Sequence, residues 1–459
     1  MENLYAVILA AGKGTRMKSG KHKVLHPVCG KPIIEHIVDN LNRLGTEETV
    51  VVVGYEAHSV QSHLGDRVAF AEQKEQLGTA HAVVQAEPLL SGYEGVTLVL
   101  NGDHPLFTVD TLTRVLEDHH QSGAAATILT ADMSDPTGYG RVIRQRDGSV
   151  EKVVEHKDAT ESERKVTEIN TGTFCFDNQL LWNALSKVGN DNAQGEYYLP
   201  DVIRILREEG HLIRAHTIRD SAEAMGINDR VQLAEAEKEM RRRILIEHMR
   251  NGVTIIDPDH TYVDVDVTIE ADTVIHPGTC LRGQTRIGAG CEIGPYADLE
   301  DLVVEDGVQI SHSVLRASHL KEHANVGPFA YIRPGSSIGK ETKVGCFVEV
   351  KNSDLGDKSK FPHLSYIGDA DIGEKVNFGC GAITVNYDGK QKHRTQVEDG
   401  AFIGCNVNLI APVTVKKGAY IAAGSTITDE VPEDALAIAR QRQTNKRDYV
   451  QKLKNKDRS

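Results

Sequence analysis

Hydrophobic positions along the 459-residue chain follow two different periods. In the first half, short apolar runs alternate with stretches of helical spacing. Residues 6–9, 49–53, 96–100 and 125–129 read as buried strands, and 33–44, 79–86 and 109–121 as helices. Such alternation predicts an α/β domain, a Rossmann-like, mostly parallel sheet with helices on both faces. Ligands of these sheets bind beyond the C-terminal strand ends. Residues 229–250, rich in Glu, Arg and Ala, predict a linker helix, with Arg241-Arg242-Arg243 on a solvated face.

The second half repeats every six residues. Ile269, Ile275, Leu281, Ile287, Ile293 and Leu299 form one series. After a shift of three it resumes at Leu302, Val308, Val314, Leu320, Val326, Ile332, Ile338, Val344 and Val350. It returns at Ile403, Leu409, Val415, Ile421 and Ile427. Six residues turn an α-helix by about 600° and would scatter these side chains. In an extended chain, an even spacing keeps them on one face. Glycine often follows the aliphatic, as at Gly288, Gly294, Gly327, Gly339, Gly345, Gly368 and Gly404. One inward aliphatic and one corner per hexad describe a β-solenoid, and the pattern resembles the left-handed parallel β-helix of hexapeptide acyltransferases. Each buried aliphatic contributes about 1.5–3 kcal/mol before entropy is set against it. Residues 386–400 lack the series and are expected to loop out as the wall of a site.

Composition narrows the function. The formal charge of −14 argues against a nucleic-acid coat or an anionic-membrane binder, though a local pocket can still be basic. No apolar run reaches membrane-spanning length, and the N-terminus lacks the marks of a signal peptide. Seven cysteines without a C-x-x-C pair fit a reducing cytoplasm.

Leu9-Ala10-Ala11-Gly12-Lys13-Gly14-Thr15-Arg16-Met17 follows the first predicted strand. Its glycines can present backbone N–H groups to phosphate, and Lys13, Arg16 and Lys23 add cationic donors. It is neither a P-loop nor a dinucleotide fingerprint, and alone it would be a tight turn. It is followed by Gln73, Gln76-Leu77-Gly78-Thr79-Ala80-His81, Asn101-Gly102-Asp103, Gly140, Glu155, Asn170-Thr171-Gly172 and Gly226-Ile227-Asn228-Asp229. In this order the segments resemble the signature of sugar-1-phosphate nucleotidylyltransferases. With the hexapeptide half, nearly the whole chain resembles the bifunctional N-acetylglucosamine-1-phosphate uridylyltransferase / glucosamine-1-phosphate N-acetyltransferase family.

The resemblance implies a nucleotidyltransferase domain over 1–228, a linker helix over 229–250, a β-helix acetyltransferase domain over 251–437 and a basic tail over 438–459. It implies that Leu9, Ala10, Ala11, Gly12, Gly14, Arg16, Lys23 and Gly102 serve the nucleotide, with Arg16 and Lys23 catalytic. Gln73, Gly78 and Thr79 match uracil contacts; Gly140, Glu155 and Asn170 match sugar contacts; Asp103 and Asn228 match Mg²⁺ ligands. In the second half, Arg333, Lys351, Tyr366, Asn377 and Lys392 match positions that hold glucosamine 1-phosphate. His363 matches the general base and Cys380 the oxyanion backbone. Cys380 also, with Asn386, Tyr387, Cys405, Ala423 and Arg440, matches acetyl-CoA contacts. Beyond Arg440 the tail, through Arg458, is expected to fray. The family pattern departs at Asn101, often Tyr, at His22, commonly Pro, and at Cys405, frequently Ser. A homotrimer using UTP and acetyl-CoA is implied. The alternative is a single-activity nucleotidylyltransferase with a structural or regulatory β-helix.

Overall fold

The computed structural model describes residues 3–456; Met1, Glu2 and the tail positions from Asp457, Arg458 included, lie outside the described residues. Two compact units, Met1–Met240 and Arg241–Ser459, divide within the helix Arg230–Arg250. Among the described residues no helix is long and apolar enough to cross a membrane.

The first unit is built on one sheet. Its strand order is Ile213–Thr217, Ala126–Asp132, Glu168–Asp177, Val96–Asn101, Leu4–Ala10, Glu48–Val53 and Ala69–Glu72. The central strands are parallel, and both their faces are covered. Tyr5, Val7, Val50, Val52 and Val99 enter one core, and Ala6, Ile8, Val51, Val53, Leu98 and Leu100 the other. Burial on both faces makes these strands read as unbroken apolar runs. Glu168–Asp177 runs antiparallel to both neighbours and pairs also with Gly140–Arg144, which pairs with Val150–Val154. Apolar periodicity did not reveal this arm, which carries two sugar-site candidates. The predicted helix over 79–86 stops earlier, as Thr79–Val84, and the strand expected at 125–129 is Ala126–Asp132.

The second unit is a left-handed β-helix, whose described residues form three parallel sheets with 11, 10 and 9 strands. Ile275, Ile293, Ile310, Val326, Val344 and Phe361 stack in register down one sheet. The ladder corrects the hexad reading at one point. Between Leu299 and Leu320 the inward residues are Val304, Ile310 and Leu315, all buried. The steps are five, six, five and five residues, so three shortened corners produce the shift of three. Leu302 and Val308 are buried two residues ahead of the inward positions, but Val314 points out, 38% exposed.

The glycines after the aliphatics serve coil stacking more than corners. A Cβ on Gly339 would stand 2.6 Å from Leu355 O, and one on Gly404 2.6 Å from Ala423 N. Left-handed corners fall later, on residues such as Lys358, Leu364 and Lys375. The excursion is shorter than 386–400: Thr395–Val397 rejoins the ladder, with Val397 buried. Arg241 is not simply solvated, since its guanidinium lies 4.4 Å from the centroid of the Tyr262 ring. The tail is not wholly frayed either, because Tyr449–Lys456 is helical.

Candidate active sites

Strand Leu4–Ala10 delivers the glycine-rich loop to its C-terminal end, where Gly102 N–H donates to Leu9 O. Gly14 is left-handed at φ 57, and a Cβ there would come 2.7 Å from Lys23 Cβ. Glycine therefore lets Lys23 cross the loop closely. A short turn, Lys23–Leu25, sets the direction of Lys23. His22, at the departure from Pro, caps this turn by accepting the Val24 N–H. Lys23 Nζ reaches Asp103 Oδ2 at 2.5 Å and Asn228 Oδ1 at 3.3 Å, and Arg16 Nη2 donates to the same Asn228 oxygen at 2.9 Å.

The second oxygen of Asp103 lies 2.7 Å from His104 Nδ1. Burial works to raise the Asp103 pKa, but the charges and hydrogen bonds of His104 and Lys23 outweigh it and hold the carboxyl well below the usual range. Asp103 and Asn228 thus turn two oxygens onto one cation, the Lys23 ammonium. Among the described residues no cluster of three His, Cys, Asp or Glu could hold a metal. Two hard oxygens nevertheless suit Mg²⁺, which takes phosphate and water as its other ligands.

Beside this cluster lies a cavity of about 180 Å³ lined by Leu9, Thr79, Asn101, Gly140, Glu155 and Asn170, among others. Burial, then Asp158, Asp201 and Glu196, push the Glu155 carboxyl up. Gln73 Nε2 donates to Gly78 O at 3.1 Å, and Thr79 Oγ1 accepts the Leu199 N–H at 2.9 Å. Gln73 is thus held beside Gly78 and Thr79, and of the three Thr79 lines the cavity. Gly78, at φ 120, is pressed against the Tyr197 backbone, where a side chain would collide. Asn101 packs its amide where Gly172 would carry a Cβ, so its departure from Tyr is matched by a glycine opposite. His104 bridges the two regions, contacting Asp103 and lining the cavity, and sequence reasoning did not single it out.

In the β-helix, register places the candidates in columns. His363, Cys380, Cys405 and Ala423 each stand two residues after an inward residue of one sheet, on four successive coils. The proposed base and three acetyl-CoA candidates thus share a corner. His363 is exposed, with Nδ1 3.4 Å from Cys346 Sγ on the preceding coil. Asn377 opens a strand of this same sheet, while Arg333, Lys351 and Tyr366 flank the inward residues Ile332, Val350 and Ile367 of the adjacent one.

On that adjacent sheet the polar groups converge on Asp369. Lys351 Nζ reaches its two oxygens at 2.9 and 2.8 Å, Asn352 Nδ2 donates at 2.8 Å and Asn386 Nδ2 at 2.6 Å. Asn386 Nδ2 also lies 3.4 Å from the Tyr366 hydroxyl. Asp369 raises the Lys351 pKa, and Lys351 in turn lowers that of Lys392. Arg333 pairs with Glu349 at 3.0 Å. Tyr387 is exposed on the excursion, and Arg440 Cδ passes 3.8 Å from where a Gly424 Cβ would be, next to Ala423. Asp369 was not foreseen. Its recurrence with Asn352 and Asn386 at 17-residue spacing was the available signal.

The nucleotidyl transferase family matches residues 5–222, and the bacterial transferase hexapeptide family (six repeats) matches residues 394–429. The bifunctional protein GlmU of Brevibacillus brevis is 58% identical over 456 residues, covering 99% of both chains. That of Geobacillus sp. (strain WCH70) is 58% identical over the full length of both. That of Bacillus subtilis is 55% identical over 99% of this chain and all of its own. With end-to-end identity of this order and a matching family model in each half, the chain belongs to the bifunctional GlmU family.

Proposed function

We propose that the chain makes UDP-N-acetylglucosamine in two steps. The β-helix unit moves the acetyl group of acetyl-CoA onto the amine of glucosamine 1-phosphate. The nucleotidyl transferase unit then joins the product to UMP from UTP and releases pyrophosphate. One observation carries this reading: a chain matched end to end by bifunctional relatives holds a cationic, oxygen-lined cluster in each half.

In uridylyl transfer, an oxygen of the sugar phosphate attacks the α-phosphorus of UTP. That oxygen is already ionised, so positioning and charge neutralisation carry the catalysis. Lys23, Arg16 and the N–H groups around Gly12 and Gly14 face the phosphates, with Leu9, Ala10, Ala11 and Gly102 forming the floor. Gln73, Gly78 and Thr79 hold the base, and Gly140, Glu155 and Asn170 the sugar. Asp103 and Asn228 would hold Mg²⁺, which when bound supplies positive charge to the triphosphate.

In acetyl transfer, neutral His363 takes the proton as the amine attacks the thioester. The backbone at Cys380 faces the oxyanion, and the coenzyme A thiolate leaves. Arg333, Lys351, Tyr366, Asn377 and Lys392 hold the sugar phosphate; Asn386, Tyr387, Cys405, Ala423 and Arg440 hold the coenzyme. The hexapeptide repeats and the family resemblance support a homotrimer in which neighbouring copies complete each site. Seven free thiols support a cytoplasmic location. Small molecules, not nucleic acid or membrane, are the partners.

A coupled assay with UTP, acetyl-CoA and glucosamine 1-phosphate tests the reading. UDP-N-acetylglucosamine and free coenzyme A are expected. Pyrophosphate release from N-acetylglucosamine 1-phosphate without any acetylation would leave only the single-activity alternative.

A further inference from the structure

We infer that Asp369 is a positioning residue of the acetyl-transfer site, fastening the excursion 386–394 to Lys351 so that one group sets both sugar-phosphate and acetyl-CoA contacts. The inference rests on the function proposed above. Asn352, Asp369 and Asn386 each stand two residues after an inward residue, Val350, Ile367 and Thr384, and pairing stacks them in one column. Asn352 and Asp369 turn left-handed there, at φ 46 and 49, and the chain continues onto the next sheet. At Asn386 it leaves the prism instead and rejoins it at Thr395.

Asp369 touches both ends of this detour. Its carboxylate accepts Asn386 Nδ2 at 2.6 Å where the chain departs, and its carbonyl accepts the Thr395 N–H at 3.1 Å where the chain returns. The same carboxylate holds Lys351 and Asn352, and the residue is only 7% exposed. The detour carries Tyr387 and Lys392, which face each other in a β-bridge, and His393 N–H closes its base on Asn386 O at 2.8 Å. An acid that merely neutralised Lys351 would not need to accept Asn386 as well; the bond from Thr395 goes to the main chain and marks where the detour closes. Charge-assisted bonds to a shielded carboxylate are strong enough to fix such a loop.

Asp369→Asn tests this in the full-length protein. Asparagine tolerates a left-handed corner and keeps the shape, but loses the charge and one acceptor oxygen. KM for both glucosamine 1-phosphate and acetyl-CoA should rise by about tenfold with kcat changed by less than about threefold, as expected when binding groups are displaced but the base is kept. Hydrogen exchange at 386–394 should quicken while the ladder strands stay protected, and uridylyl transfer should not change. Asp369→Ala should move the same quantities further. Wild-type KM values and loop exchange in both variants would overturn the inference. So would loss of protection throughout the β-helix, which would make Asp369 a structural corner residue. A wild-type chain that fails to acetylate would overturn the proposed function instead.

Discussion

The two halves assemble their candidate sites in opposite ways. In the nucleotidyl transferase unit, Lys23, Asp103 and Asn228 come from distant stretches of chain and meet where parallel strands end. In the β-helix, His363, Cys380, Cys405 and Ala423 meet because each occupies the same place in successive coils. A sheet edge gathers loops, whereas a solenoid makes columns. Chemistry at the first depends on a few long-range contacts, and chemistry at the second on register. The consequences of a substitution should therefore divide cleanly between the two reactions.

The largest effects fall on the reacting groups. Asp103→Ala should lower uridylyl transfer by about a thousandfold or more and leave acetyl transfer intact, and His363→Ala should do the reverse by about a hundredfold or more. Separate assays of pyrophosphate and coenzyme A release check both, and a variant that loses both activities would erase the contrast. Gly404→Val should come next. Its side chain would meet the Ala423 backbone, costing the β-helix about 3 kcal/mol by overpacking and lowering its unfolding midpoint in denaturant. A midpoint unchanged from wild type would show that coils need no close approach there.

Acidification should have the mildest effect. The Asp103 carboxyl is held below the usual carboxylate range despite its burial. Its pairing is therefore present above that range and is lost only at much lower pH. Uridylyl transfer should therefore keep its rate from about pH 8 to pH 6 as far as Asp103 is concerned, and a steep loss in rate assays that tracks an Asp103 substitution in this interval would contradict the pairing.

How much of this was legible follows the same division. The strands 6–9, 49–53 and 96–100 stood out because both of their faces are buried. Glu168–Asp177 did not, because Asn170-Thr171-Gly172 interrupts its apolar pattern and its register shifts there. The hexads announced the β-helix but concealed its phase. Five-residue steps drop one position each, and residues such as Leu302 and Val308 are buried without being the inward aliphatics, which misplaced Val314. Resemblance supplied Asp103, Lys23 and Asn228, and no local pattern could have joined residues 80 and 205 positions apart. Asp369 escaped because Gly368-Asp369 looks like an ordinary turn until the coils are aligned.

The central claim, two reactions on two separable sets of residues within one chain, is tested most directly by mixing. Asp103→Ala and His363→Ala proteins, assayed alone with glucosamine 1-phosphate, acetyl-CoA and UTP, should form almost no UDP-N-acetylglucosamine. Combined in one vessel they should restore its synthesis, one acetylating and the other uridylylating. A mixture as inactive as either protein alone would contradict the account.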